Sequence, residues 1–149
     1  MPEVMPRPRT ARSVGTVQAV RSVTPHMQRI TLGGSEVAEF LKVAEVNEPA
    51  AWVKVFLPSG DGRAYTIQNI DFSAGSLDLD FVLHGAGGDS GPAATWAAHA
   101  SIGERIGIAG PRSGGFLLPS DARWVMLAGD ATALPGIQSI ARRLPSGIN

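Results

Sequence analysis

The sequence contains no cysteine. Disulfides, thiolate metal sites and cysteine nucleophiles are therefore excluded. It also lacks net charge: 13 basic residues balance 13 acidic ones, for a formal value of +0. Such a chain has no electrostatic pull toward nucleic acid or an anionic membrane surface, so neither is expected as a partner. Lysine is scarce, found at Lys42 and Lys54 alone. No apolar run approaches the roughly 20 residues of a membrane-spanning helix. Met1 to Arg12 hold proline and arginine but no apolar signal-peptide core. They read as a flexible tail, and the chain reads as cytoplasmic. His26, His84 and His99 lack metal-ligand spacing and no carboxylates cluster with them, so no metal site is expected.

What is present points to an ordered, turn-rich chain. Its 149 residues are about one domain long, and 44% are hydrophobic against 17% charged. Eighteen glycines and 11 prolines supply the turns of a β-rich domain. Residues 14–23 are β-branched and partly alternating, which predicts a strand. Thr24-Pro25 turns the chain, and His26 to Leu32 reads as the returning strand. Ser35 to Leu41 reads as a short helix with Ser35 as its N-cap. Trp52 to Leu57 and Arg63 to Ile70 form a hairpin about the turn Pro58 to Gly62. From Leu77 to His84, Leu77, Leu79, Phe81 and Leu83 alternate with Asp78, Asp80, Val82 and His84. Pro92 to Ala100 is an Ala-rich helix with proline in its first turn. Glu104 to Ala109 is a further strand, stopped by Gly110-Pro111.

This order predicts a mainly β fold over residues 13–119. It is a six-stranded antiparallel barrel with a short capping helix. The pattern then changes. Trp124 to Gly129 is a continuous apolar run, as in a strand buried on both faces of a parallel sheet. Thr132 to Leu144 reads as the helix that follows. Residues 120–149 therefore read as the first strand and helix of an incomplete α/β nucleotide-binding domain.

Four groups of residues carry chemistry. Arg63 can hold a phosphate, Tyr65 can stack on a flat ring, and Thr66 offers a hydroxyl, with Ala64 between them. The plain alternative is an ordinary hairpin with a surface arginine and a half-buried tyrosine. Asp80, Val82 and His84 face away from the apolar stripe, toward ligand or solvent. A solvated face is their plain alternative. A Gly-rich loop, Gly85 to Gly91, leads through Gly91, Pro92 and Ala93 into a helix start whose free N–H groups suit an anion. A flexible connection is the competing reading there, and core packing is the expectation for Trp96. Asp130 and Thr132 lie in a tight turn after an apolar run, where α/β sheets bind ligands. A simple helix cap is the other reading. Taken together, the four groups suit a large, flat, phosphate-bearing cofactor, and flavin adenine dinucleotide (FAD) is the obvious candidate.

The order of these motifs resembles the siderophore-interacting proteins, a ferredoxin-reductase-like branch of flavoproteins that act as ferric-siderophore reductases. The resemblance is carried by Arg63-Ala64-Tyr65-Thr66-Ile67, Asp80-Phe81-Val82-Leu83-His84-Gly85, and Gly91-Pro92-Ala93 with Trp96-Ala97. It continues through Ala109-Gly110-Pro111-Arg112 and Ala128-Gly129-Asp130 with Thr132-Ala133-Leu134-Pro135. It covers about residues 13 to 145. By this resemblance Arg63 contacts flavin phosphate or ribityl oxygens, Tyr65 stacks on the ring, and Thr66 bonds near its N5. Asp80 to His84 line the flavin, Gly91 to Ala93 hold the pyrophosphate, and Asp130 and Thr132 close the pocket. The implied reaction passes a hydride from NAD(P)H to FAD, then single electrons to the iron(III) of a ferric siderophore. The sequence departs from the family at position 68, which is Gln where arginine is usual, and at 131, which is Ala where an acid is common.

Two other readings stand beside the reductase. One is a non-catalytic flavin-binding module, or a fragment lacking turnover because its NAD(P)H domain is incomplete. The other is a barrel that binds no cofactor and serves as an interaction partner. The uncovered strand Trp124 to Ala128 adds an expectation of homodimerisation or aggregation.

Overall fold

A computed structural model describes residues 11–84 and 91–149. Residues 1–10 of the expected tail at 1–12 and residues 85–90 of the expected Gly-rich loop lie outside the described residues, while Arg12 is not tail but opens the first strand. Alternating apolar residues close six strands on themselves. They are β1 (Arg12–Thr24), β2 (Met27–Gly33), β3 (Trp52–Phe56), β4 (Gly62–Asp71), β5 (Ser76–Val82) and β6 (Arg105–Arg112). The barrel order is β1-β2-β5-β4-β3-β6, with every pairing antiparallel. Leu77, Leu79 and Phe81 point inward with Ile30, Leu32, Val53, Val55 and Ile108, all essentially sealed from solvent. Inward packing of alternate side chains fills a small barrel and removes apolar surface from water at about 25 cal/mol per Å².

Turn chemistry sets the strand ends. Asp71 accepts bonds from the backbone N–H groups of Ser73 (3.0 Å) and Ala74 (2.9 Å), which folds β4 back into β5. Gly75 follows at φ 65° with Ala38 packed against it, a place where a side chain would be both strained and crowded.

Three short helices lie on the barrel: α1 (Ser35–Phe40), α2 (Pro92–His99) and α3 (Leu134–Ala141). Val37 and Phe40 of α1 are buried in the core. Small residues let α2 sit close, with Ala93, Ala94 and Ala97 buried. Gln28 of β2 donates to the Ala97 carbonyl at 2.8 Å. The third helix packs on β4.

Three local expectations are corrected. Gly34, not Ser35, occupies the cap position of α1, and no side chain caps that helix. Strand β6 is not stopped at Gly110-Pro111 but runs through to Arg112, with the register against β3 shifted there. That irregularity accommodates a proline that cannot donate to the ladder. Trp124 to Gly129 forms no sheet strand, and Trp124 and Met126 are 67% and 76% exposed. Among the described residues the apolar run has no parallel strand to pair with. Val125 N–H donates instead to the Asn149 carbonyl at 2.9 Å, and the Asn149 N–H donates to the carbonyl of Arg123, just before the run. The helix expected at 132–144 is shorter, with Pro135 in its first turn as anticipated.

Candidate functional site

The cross-strand register of β4 sorts its side chains. Arg63 pairs with Val55 and Tyr65 with Val53, so both share the inward face. Ala64 pairs with Lys54 and Thr66 with Trp52 on the outward face. Arg63 stays exposed near the rim, and its Nη1 donates to the Gly62 carbonyl at 3.0 Å. Tyr65 is half-buried, with its ring 4.1 Å from that of Phe81. Phe81 in turn meets Trp96 of α2 edge-on at 5.5 Å. Trp96 packs on the core, as expected, and its Nε1 donates to Glu104 at 3.0 Å. Burial pushes the Tyr65 hydroxyl above its ordinary pKa, and the positive charge of Arg63 opposes this.

On β5 the picture differs from expectation at Asp80. It is not on an open face. Only 4% exposed, it makes two bonds to Arg29 of β2, at 2.7 and 2.9 Å. Those bonds, chiefly, hold Arg29 above its ordinary pKa against the desolvation that would lower it. The Asp80 carboxylate is therefore spent within the protein. Arg29 was not anticipated from the sequence, and its signal is the register that sets it opposite Asp80. Val82 is half-buried and His84 exposed.

At the start of α2, Gly91 is the cap, Pro92 is the first helical residue, and no side chain among the described residues caps the helix. A Cβ added at Gly91 would meet nothing within 4 Å. Ala93 and Ala94 are small because they pack on the barrel.

Asp130 and Thr132 bind each other. Asp130 Oδ1 accepts from the Thr132 N–H at 2.9 Å and from the Thr132 hydroxyl, which, as the largest cause, holds the carboxyl below its usual range. The turn leads into α3, whose docking on the barrel is polar. Ser139, 1% exposed, accepts the Ala50 N–H at 2.9 Å. Arg143 donates to the Asn47 carbonyl and to Ser139. Gln68 of β4 bonds Gln138 and Arg142. A Cβ on Gly136 would stand 3.7 Å from Thr66 Oγ1, so α3 reaches the site strand just where Thr66 lies.

One feature missed in the sequence is an outward ladder of rings and cations. The Arg112 guanidinium lies 5.3 Å from the Trp52 ring, and that of Arg12 lies 3.6 Å from Phe56. Lys54 sits between the rings, 5.6 Å from Phe56. The alternation Trp52, Lys54, Phe56 is the signal that carries it. A separate groove of about 560 Å³ lies away from β4, lined by Phe116, Leu118, Ile140, Arg143, Leu144 and Ile148 among others. It holds none of Arg63, Tyr65, Thr66, Val82, His84, Asp130 or Thr132, so the candidate site is placed at β4.

The structure thus sets Arg63 and Tyr65 on one face of β4 and Thr66 on the other, with β5 packed beside them and α2 reaching Tyr65 through Phe81. An exposed guanidinium, a half-exposed ring and an uncapped helix start fit a phosphate-bearing aromatic group. The family model for the siderophore-interacting FAD-binding domain matches residues 16–62 and 61–115. The chain belongs to this family. Among siderophore-interacting relatives, ferric vibriobactin reductase ViuB of Vibrio cholerae is 31% identical over 142 residues. That match takes in 83% of this chain and 51% of ViuB, so the chain spans about half the length of that relative. The siderophore-interacting protein SipS from Aeromonas hydrophila is 32% identical with a TM-score of 0.73, over 94% of this chain and 57% of SipS. The ferredoxin reductase in carbazole 1,9a-dioxygenase, 21% identical with a TM-score of 0.67 over 89% of this chain and 38% of its own, shares the barrel fold.

Proposed function

We propose that this siderophore-interacting domain binds FAD along β4 and α2 and forms the flavin half of an NAD(P)H-dependent ferric-siderophore reductase. The observation that carries the reading is the row Arg63, Tyr65, Thr66 on one strand of a barrel of this family. FAD, when bound, supplies a centre that accepts a hydride and releases electrons one at a time to chelated iron(III). Arg63 holds a phosphate through its guanidinium. Tyr65, backed by Phe81, presents a ring face for stacking. Thr66 offers its hydroxyl at the ring edge. Gly91, Pro92 and Ala93 meet the pyrophosphate with backbone, and Val82 and His84 line the same side. Backbone at Asp80 contributes there too, while its side chain stays with Arg29. Asp130 and Thr132 close the pocket from the turn before α3.

The substrate class is a ferric siderophore, and the electron donor is NAD(P)H. Trp52 pairs with Thr66, so the ladder of Trp52, Lys54 and Arg112 adjoins the site strand. Rings and cations with no carboxylate in salt-bridge range among the described residues suit an anionic, aromatic iron chelate. Residues 13–119 act as the flavin unit and 120–149 as the opening of a nucleotide-binding unit, in the cytoplasm. Among the described residues no helix is long and apolar enough to cross a membrane. A second reading, a flavin-binding module that takes electrons from another protein, is favoured by Trp124 to Gly129 forming no sheet.

The test is a visible absorbance spectrum followed by fluorescence titration with FAD. Saturable binding is expected, weakened at least tenfold in Arg63→Ala and Tyr65→Ala. Nicotinamide oxidation with a ferric chelate then separates reductase from module. Absence of binding at tens of micromolar FAD overturns both readings.

A further inference from the structure

Strand β4 carries one cation of its own, Arg63, and no other up to Asp71. Arg63 stands before Tyr65 and Thr66, and Gln68 stands two residues beyond them, roughly 7 Å further along the strand. On the flavin reading, the phosphate end of the site is at Arg63 and the ring at Tyr65 and Thr66. Position 68 is then at the ring end.

A positive charge reaches that position from elsewhere in the chain. Gln68 is 3% exposed and its amide is bonded at both ends, with Nε2 donating to Gln138 and Oε1 accepting from Arg142 Nη2 at 2.8 Å. The same Nη2 donates to the Gln68 carbonyl. Arg142 is itself exposed, and its Nε and Nη1 have no protein partner among the described residues. Docking of α3 does not need this cation, because Gln138, Ser139 and Arg143 already tie the helix to the barrel. The nearest acid on the strand, Asp71, turns its Oδ1 to Ser73 and Ala74. Arg143, the other cation here, is committed to Asn47 and Ser139.

We propose that Arg142, held on Gln68, places a positive charge at the ring end of the flavin site and favours the reduced cofactor. This rests on the flavin reading above. When the ring takes up a hydride it gains two electrons and one proton, and so one net negative charge. A cation at that end of the site attracts that charge and does nothing comparable for the neutral oxidised ring, an effect on the order of tenfold in relative affinity at separations of about 5–10 Å. The charge lies at the C-terminal end of a helix that follows the barrel, so docking of α3 and the readiness of the flavin to accept electrons are linked.

The test compares FAD-loaded wild type, Arg142→Lys, Arg142→Gln and the double variant Gln68→Arg/Arg142→Gln. Midpoint potential is read by spectroelectrochemical titration, oxidised FAD affinity by fluorescence, and stability by thermal unfolding. Arg142→Gln should lower the potential by about 30 mV, the two-electron equivalent of a tenfold change. Arg142→Lys should keep most of it. The double variant should recover it, since the charge returns to the strand. An unmoved potential in Arg142→Gln overturns the inference, as does a double variant that regains stability but not potential. If Arg142→Gln does not fold, the wild-type potential decides: it should fall as salt is raised, and a flat response overturns the inference. Failure of wild type to take up FAD instead sinks the flavin reading beneath it.

Discussion

Tyr65 and Phe81 lie ring against ring, with centroids 4.1 Å apart and planes tilted by 35°. The contact joins the site strand β4 to β5, and it holds the tyrosine half out of water.

That burial predicts a titration. Tyr65 is the one tyrosine in the chain, so the tyrosinate absorbance band reports it alone. Its midpoint should lie above the ordinary value of about 10. The sign follows from the raised pKa. The stability that Tyr65 contributes is fully present below the unfolded pKa and is lost as pH rises through the folded one. Arg63→Ala should raise the midpoint further, because the guanidinium opposes the shift. A midpoint at the free-tyrosine value would contradict the packing.

The Arg29–Asp80 pair predicts a stability loss. Asp80→Ala strands a partly buried guanidinium and should cost about 3 kcal/mol in urea unfolding. The double change Arg29→Met with Asp80→Leu removes both charges and should cost much less. Equal losses would show that the pair is not coupled.

Much of the barrel was legible because inward alternation is a local property. Leu77, Leu79 and Phe81 announce a strand wherever it pairs, and Pro58 to Gly62 announces its hairpin. The partner of Asp80 was not legible, because it depends on which residue the register sets opposite. Trp124 to Gly129 was misread for a related reason. An apolar run says that burial would be favourable, but a strand forms only when a neighbour offers hydrogen bonds. Arg63, Tyr65 and Thr66 could be placed by counting along the strand, whereas the ladder at Trp52, Lys54 and Phe56 needed the neighbouring strand β6 to supply Arg112.

Asp130 predicts an acid response before α3. Hydrogen bonds from Thr132 and Ala133 depress its pKa, so the turn is held above the ordinary carboxylate pKa and loosens as pH falls through the lower folded value. The Thr132 amide should lose protection from hydrogen exchange in that acid window and at neutral pH in Asp130→Ala. An amide indifferent to both would argue against that hydrogen-bonded turn.

Exposed Trp124 and Met126 predict self-association. Light scattering should show dimers or larger species that grow with concentration, and Trp124→Ser/Met126→Ser should shift the protein toward monomer. A monomeric wild type at high concentration would sink the expectation.

The closed strand order has a consequence for synthesis. Arg12 of β1 pairs with Ala109 of β6, so the first strand waits for a partner 97 residues later (109 − 12). At translation speeds of about 5–20 residues per second, that is roughly 5–20 s during which one edge of the nascent sheet stays open. The slow step in making this protein should therefore be the arrival and insertion of residues 105–112. A ribosome-bound chain halted before them should be sensitive to protease and recognised by chaperones.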